Sequence, residues 1–522
     1  MAQTALLLSV LFPFVGAIIC ALMPSASVAR TWAMLVSILT LAAVVLMAPE
    51  VLAGRAVLWG SETFSIANIG FGLKLAAEGV SLWLLLLTSL ITPLVILATN
   101  ARVHDQSNAS WYYAWMLVLL GALNGAFAAA DGLLFYVFFE LTLVPSLLLI
   151  AIWGGADRRQ AAAKFFIYTF AGSIFLLIAL LYVANKAGTF EISSMIQAAQ
   201  NTLTSRERFW VCLGLLIGFL IKTPVFPLHT WQAQTYAEAP NGATVILAAV
   251  MSKLGTYGLL RLTLPMGFVA TGYYGPIVNT VIVLCLISIV YGGLVAWVQK
   301  DMIRLMAFSS VSHLGLCVLA IVAGTTLSLQ GAVIYMIAHG LSTAAILMII
   351  GMISSRTGTR DIYAQSGLFA KMPVLSTLLV LFTMASIGLP LTSGFVGEFL
   401  SLQGIANRFG SESMGLAIIL LASTSVILGA IYMLHMVAKV GFGPYRVPIE
   451  GDAVTPDVRD LSARELGALL PLAVAVIALG VMPTPVLDSF KNDVAALGKW
   501  QIQTDSNTDP ATSEDAFFGQ TN

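Results

Sequence analysis

Runs of about 20 apolar residues recur from one end of the chain to the other, each long enough to cross a hydrocarbon core of roughly 30 Å. Short polar connections separate them. The pattern predicts fourteen helices, at roughly 4–24, 29–49, 77–99, 112–130, 132–153, 161–184, 209–235, 240–264, 273–298, 302–323, 328–352, 373–405, 413–442 and 466–486, followed by a polar tail. The spans 209–235, 373–405 and 413–442 are longer than a straight crossing needs, so each must tilt, break or extend into water. The first span lacks a basic leading segment and reads as a retained helix rather than a cleaved signal. The fold class is an all-α polytopic membrane protein.

Composition narrows the picture. The 522 residues are 59% hydrophobic and 10% charged, against roughly 25% charged in soluble domains. A large soluble α/β enzyme carries short apolar strands, not repeated apolar spans of this length. Net charge is zero, which points to no nucleic-acid partner. The four cysteines, Cys20, Cys212, Cys285 and Cys317, all fall inside apolar spans and far apart, so neither an iron–sulfur cluster nor a zinc site is indicated. No glycine-rich nucleotide-binding device is present.

Lysine and arginine orient the chain. Counting connections from the first, the odd ones, with Arg158, Arg159, Lys300, Arg304, Arg356 and Arg360 among others, are richer in cations than the even ones. The bias places odd connections in the cytoplasm and both termini outside. Two cations remain inside spans, Lys222 and Lys253. The same sorting leaves Glu140 and Glu398 inside spans, with Asp131 and Glu238 at span ends.

An ionisable group at mid-membrane costs about 2.5–3.5 kcal/mol on insertion scales, so four unpaired ones cost on the order of 10 kcal/mol. A single membrane lysine is as readily a structural partner or a snorkelling group as a functional one. Two lysines and two glutamates at mid-span, with His313 and His339 in similar positions, favour an internal proton path. A lysine–carboxylate pair 4 Å apart gains about 4 kcal/mol at an effective dielectric of 20, enough to decide whether such a lysine keeps its proton. Arginine does not deprotonate, and no arginine falls in this set. His435 is a weaker member, and His229 sits near the water boundary.

Prolines mark where helices break. Pro224 has no N–H, so the carbonyl of Leu220 loses its helical donor, and Pro227 does the same to Thr223. Such backbone is tolerated at membrane depth only where it is packed by protein or lines a wet cavity. Pro390, with Gly394 and Gly397, repeats the device beside Glu398. Broken helices seven and twelve therefore each carry a buried charge, five helices apart. Discontinuous helices in corresponding positions point to inverted repeats, here helices 4–8 and 9–13. The chain then divides into a three-helix segment at 1–110, five-helix repeats at 111–264 and 265–445, and a loop, last helix and tail at 446–522.

The stretches FFELTLVPSLLLI, IKTPVFPLHTW, MSKLGTYGLLR, DMIRLMAFSSVSHLG, YMIAHGLSTA and TSGFVGEF together resemble the antiporter-like membrane subunits of NADH:quinone oxidoreductase, respiratory complex I. The similarity runs over roughly residues 75–445. It implies fourteen helices, two inverted five-helix repeats and a central polar axis that moves protons. By motif, Glu140 matches the fifth-helix glutamate and Lys222 its partner on the broken seventh helix. Lys253 matches the eighth-helix lysine linking the half-channels, and Glu398 the ionisable group of the broken twelfth. His313 and His339 match positions within or beside the axis. Glutamate at 398 and the short tail point to M-type members; related cation/proton antiporters commonly carry lysine there. One departure stands out. HTWQAQTYAEAP, residues 229–240, replaces a loop like HTWLPDAHVEAP, so the acidic proton-uptake group of that loop is absent.

The resemblance implies no cofactor or metal in this chain, with NADH, FMN, iron–sulfur clusters and quinone on partner subunits. Partners would be other membrane subunits, including neighbouring antiporter-like ones, within a bacterial inner membrane. Opening a Glu140–Lys222 pair would push a proton to Lys253, then through the histidines to Glu398. A cation/proton antiporter subunit, a membrane subunit of a hydrogenase-type complex and a structural scaffold are the alternatives.

Overall fold

The computed structural model describes residues 1–66, 71–99, 108–267, 274–411, 414–448 and 458–497. Among them, twelve helices are long and apolar enough to cross a membrane. They are α1 (Ala2–Ala21), α2 (Ala26–Leu52), α3 (Gly79–Ala98), α4 (Ala109–Ala128), α5 (Gly132–Trp153), α6 (Arg158–Ala187), α8 (Asn241–Gly267), α9 (Tyr274–Trp297), α10 (Met302–Ala323), α11 (Thr326–Thr357), α13 (Gly415–Gly441) and α14 (Ala463–Val481). The two remaining expected spans are interrupted. α7a (Ser205–Lys222) and α7b (Gln232–Glu238) flank an unwound stretch, as do α12a (Pro373–Ser386) and α12b (Ser393–Phe409).

Burial separates the helices into an inside and an outside. The apolar windows of α8 and α11 are 100% buried within the chain, whereas that of α13 is 33% buried. Large apolar side chains such as Ile167, Ile178, Leu420 and Ile427 point outward. A helix that is hydrophobic all round is read correctly as membrane-embedded, but only packing tells a lipid-facing helix from a central one. The central pair are those carrying Lys253 and His339.

Connections are capped by the acids at span ends. Asp131 accepts from the backbone N–H of Leu133 and Leu134 and starts α5; Asp301 does the same for α10 through Ile303 and Arg304. The carboxylate of Glu238, at the end of α7b, accepts from the Asp157 N–H at 2.9 Å and so belongs to a loop anchor.

A two-stranded hairpin was not expected. β1 (Val57–Ile66) pairs antiparallel with β2 (Phe71–Ala77). Ala130 N–H donates to the Lys74 carbonyl and Leu75 bridges Ala129, so the hairpin is stitched to the connection between α4 and α5. An isolated hairpin is marginal, so its order comes from this docking, which local sequence does not announce.

Candidate functional site

α7a ends at Lys222 because Pro224 and Pro227 cannot continue its ladder. The Leu220 carbonyl is nonetheless satisfied, accepting from Val225 N–H at 3.2 Å, and the Trp231 indole N–H donates to the Ile221 carbonyl at 3.1 Å. Phe226 N–H donates to Ser288 Oγ at 2.8 Å. The break is therefore packed by protein, and the expectation that the Leu220 carbonyl is left without a donor is corrected.

Lys222 is buried with its ammonium against α5. It donates to Thr142 Oγ1 at 3.0 Å and lies 4.7 Å from the centre of the Phe139 ring. Glu140 is not within ion-pair reach of it; among the described residues, the buried pairs lie elsewhere. The direct Glu140–Lys222 pair expected from the sequence is not made. Residues two apart on a helix do not share a face, and Thr142, where α5 divides into Gly132–Leu141 and Leu143–Trp153, is the one turned to the lysine. Glu140 keeps one buried carboxylate oxygen with no protein partner.

Lys253 stands on one of the two most enclosed helices. α8 widens into π-helical turns at Leu247–Met251 and Leu259–Thr263, on either side of the α-helical turns that carry the lysine. Such bulges are rare and concentrate at functional positions. The Lys253 ammonium has three acceptors: the Ala248 carbonyl at 3.0 Å, Ser252 Oγ at 3.2 Å and His339 Nδ1 at 2.7 Å. Three N–H groups meet three acceptors, an arrangement that suits a charged lysine and a neutral His339 protonated on Nε2. α8 packs on the end of α7a through a glycine: any Cβ on Gly255 would collide with Thr223 Oγ1 and come within 2.6 Å of the Phe219 carbonyl.

Beyond His339 the polar groups continue. The His313 and His339 rings lie 5.6 Å apart between centroids. His313 Nδ1 hydrogen-bonds Tyr335 Oη, which donates to Glu398 Oε1 at 2.8 Å. His313 Nε2 and Tyr432 Oη are 3.0 Å apart, and Tyr432 Oη meets Ser309 Oγ at 2.9 Å. Glu398 also lies 3.6 Å from His313 Nδ1. Its carboxylate tucks against Gly388, in the unwound stretch at φ +73°, where a side chain would collide with it. Gly397 brings α12b against α11, since a Cβ there would lie 2.7 Å from the Tyr335 Cα.

The structure thus gathers Lys253, His339, His313 and Glu398, and leaves the Lys222 ammonium against Thr142, with its neighbour Thr223 packed on Gly255 of α8. Glu140 stays at the edge. His229 is buried among Phe226, Tyr291 and Phe308, and His435 pairs with Tyr363 at the periphery. Tyr335, Tyr432 and Thr142 escaped the sequence reading. Tyr335 stands four residues before His339, on the same helical face, and that spacing was the available signal. Among the described residues no cluster of histidine, cysteine and carboxylate side chains suits a metal ion.

The pattern of the NADH:quinone oxidoreductase/Mrp antiporter transmembrane family matches residues 129–429. NADH-quinone oxidoreductase subunit M of Pseudomonas aeruginosa is 36% identical over 449 residues, covering 83% of this chain and 84% of that protein. The chain belongs to the subunit M family of NADH-quinone oxidoreductase. Subunit M of Escherichia coli K12 is 35% identical over 456 residues, covering 85% of this chain and 86% of that one. Among solved structures, a chain of respiratory complex I from Thermus thermophilus with bound NADH superposes with a TM-score of 0.83 at 29% identity, over 96% of this chain and 99% of that chain. A chain of the Mrp complex from Dietzia shares the fold, with a TM-score of 0.80 at 22% identity over 96% and 99% of the two chains.

Proposed function

We propose that this chain is a proton-translocating membrane subunit of NADH:quinone oxidoreductase, with a route along Lys222, Lys253, His339, His313, Tyr335 and Glu398. The observation that carries the reading is the string of contacts from the Lys253 ammonium through two histidines and a phenol to the Glu398 carboxylate. Each link joins groups able to hold or hand on a proton, inside a bundle that excludes lipid.

The chemistry of the string runs in one sense without rebuilding it. Lys253 passes a proton to His339 Nδ1, and His339 gives up its Nε2 proton toward His313, whose ring lies 5.6 Å away between centroids. His313 Nδ1 then gives its proton to Tyr335 Oη while that phenol gives its own to Glu398 Oε1. The phenol ends neutral, with its proton now toward His313. Glu398 becomes a neutral acid, Lys253 a neutral amine, and both histidines end in the opposite tautomer, so the string resets by release and uptake at opposite faces together with reorientation of both imidazoles and the phenol hydroxyl.

Coupling to electron transfer is electrostatic in this reading. NADH oxidation, quinone reduction and their flavin and iron–sulfur groups belong to partner subunits, and this chain supplies no redox centre. Glu140 acts at a distance on Lys222, with Thr142 holding the ammonium. Moving one charge against the membrane potential costs about 2.3 kcal/mol per 100 mV, comparable with what one carboxylate exerts on a lysine at close range. We assign helices 4–8 and 9–13 to two inverted repeats, the even connections and both termini to the outer side, and the chain to the bacterial inner membrane.

The test is proton pumping by the intact complex in proteoliposomes carrying Lys253→Met or Glu398→Gln. Both are expected to oxidise NADH with lowered proton uptake and release, Lys253→Met more severely than Glu398→Gln. Complexes assembled at the normal level that pump with the unaltered proton-to-electron ratio would overturn the reading.

A further inference from the structure

A large cavity, about 1250 Å³, opens on the face of the even connections, away from the contacts just described. Its walls are the β1–β2 hairpin, the α4–α5 connection, the helix Ile192–Asn201 and the tail around Asp493. Its charged lining comprises Lys74, Glu78, Asp131, Glu191, Arg261 and Asp493, four carboxylates against two cations. The walls are built rather than incidental. Lys74 pairs with Glu191 at 2.8 Å, Gly72 N–H donates to Asp131 Oδ2 at 3.3 Å, and Ile192 N–H donates to the Ala130 carbonyl.

The floor is α8 itself. Tyr257, Leu260 and Arg261 line the cavity, and Tyr257 is one turn beyond Lys253. Arg261 is eight residues beyond it, roughly 12 Å along the axis at the α-helical rise. The second π-helical stretch, Leu259–Thr263, lies here and carries Arg261. The guanidinium meets Glu78 Oε2 at 2.6 Å and lies 5.9 Å from the Tyr257 ring. Arg261 Nε and Asp493 Oδ2 are buried with no protein partner although both residues line the cavity. Burial, and then the neighbouring Glu78, push the Asp493 carboxyl above the usual carboxylate range. The fully buried helix carrying the central lysine thus ends in a polar vestibule on one face only a few turns away.

We propose that this vestibule is a second proton outlet, taking protons from Lys253 along α8 and gated by the Glu78–Arg261–Asp493 cluster. The outlet rests on the proton-translocating reading above. In the step, an N–H bond of the Lys253 ammonium breaks, water passes the proton past Tyr257, and an O–H bond forms on Asp493 or Glu78. Lys253 is left neutral. The protonated acid loses its attraction to Arg261 and is free to deliver its proton to the open mouth, which restores the cluster. The route leaves Glu398 out, so the two halves of the chain would discharge separately.

Two measurements on the intact complex test this. In oriented membranes, Ile196→Cys at the wall and Leu260→Cys at the floor should react with a membrane-impermeant maleimide from the face of the even connections and not from the other. In proteoliposomes, Asp493→Asn and Glu78→Gln should each lower protons pumped per electron by about half of the loss seen in Lys253→Met, as expected when one of this chain's two outlets closes, with NADH oxidation unchanged. A floor cysteine that stays unlabelled from both faces overturns the outlet. So do labelled cysteines accompanied by normal pumping in both carboxylate variants. Lys253→Met separates the readings. If it abolishes pumping while Asp493→Asn and Glu78→Gln are silent, the outlet alone fails; if it pumps normally, the translocation reading fails with it.

Discussion

Lys253 Nζ lies 2.7 Å from His339 Nδ1 across the interface of α8 and α11, the two helices whose apolar windows are wholly buried. An ammonium this deep needs all its hydrogen bonds, because an unmet buried charge costs several kcal/mol. His339 supplies one of three. His339→Ala should leave the lysine with an unmet N–H and no onward acceptor. The expected result is a fall of roughly tenfold or more in transfer along the Glu398 route, equivalent to about 1.4 kcal/mol of barrier per decade, and so a lower pumping yield. Acid-pulse proton uptake in proteoliposomes measures it.

Tyr335 is the link between His313 and Glu398, and only its hydroxyl is required. Tyr335→Phe keeps the ring and its packing, so assembly should be retained. Removing the shared hydroxyl costs about 1–3 kcal/mol through the unpaired carboxylate, and loss of a positioned proton carrier costs on the order of 10²-fold in transfer. Pumping should fall in Tyr335→Phe while NADH oxidation by artificial acceptors stays normal. Equal pumping by both proteins would remove Tyr335 from the route.

Gly397 sets the distance between α12b and α11. A Cβ there would lie 2.7 Å from the Tyr335 Cα, a backbone atom that has nowhere to go. Gly397→Ala should therefore push the broken helix away and lengthen the Tyr335–Glu398 bond. Overpacking of this kind costs about 1–3 kcal/mol. The measurement is the melting temperature and yield of assembled complex, with lower values expected for the variant.

Arg356 fastens α11 to α14. Its guanidinium grips both Glu465 oxygens, at 2.9 and 2.7 Å, and also donates to the carbonyls of Met352, Arg459 and Asp460. Lysine lacks the planar fork, so Arg356→Lys is not conservative here. Removing one partner of an enclosed pair costs about 3–5 kcal/mol. Lysine keeps the charge, so Arg356→Lys should lower the melting temperature less than Arg356→Ala does.

Asp493 makes a prediction about pH. Burial first, and Glu78 second, raise its carboxyl above the ordinary value of 3.8. The folded chain then binds a proton that the unfolded chain has released, so folded stability falls as pH rises through the shifted value. Asp493→Asn removes that loss. The variant should melt higher than the wild type near neutral pH, and the difference should shrink as pH is lowered toward the carboxylate range. A difference that is constant with pH would place the effect elsewhere than the carboxyl.

Much of the architecture was legible because lipid imposes a simple rule. Apolar runs long enough to cross must be helical, since every backbone group needs an internal partner. The spans read at 302–323 and 132–153 agree with α10 and α5, and Pro224 and Pro390 lie where α7 and α12 unwind. The hairpin at 57–77 and the π-helical turns of α8 were not legible, because docking and packing produce them.

By itself, the sequence determined which residues are charged inside an apolar span and where helices cannot continue, since composition and proline chemistry are local. It therefore named Glu140, Lys222, Lys253, His313, His339 and Glu398. Which of these touch was decided only by the tertiary structure. Helix rotation turned Thr142 rather than Glu140 to Lys222, and glycines at 255, 388 and 397 let backbones approach closely enough for Tyr335 to join His313 to Glu398. Hydrogen bonds depend on ångström-scale distances between distant helices, and no pattern along one chain encodes those.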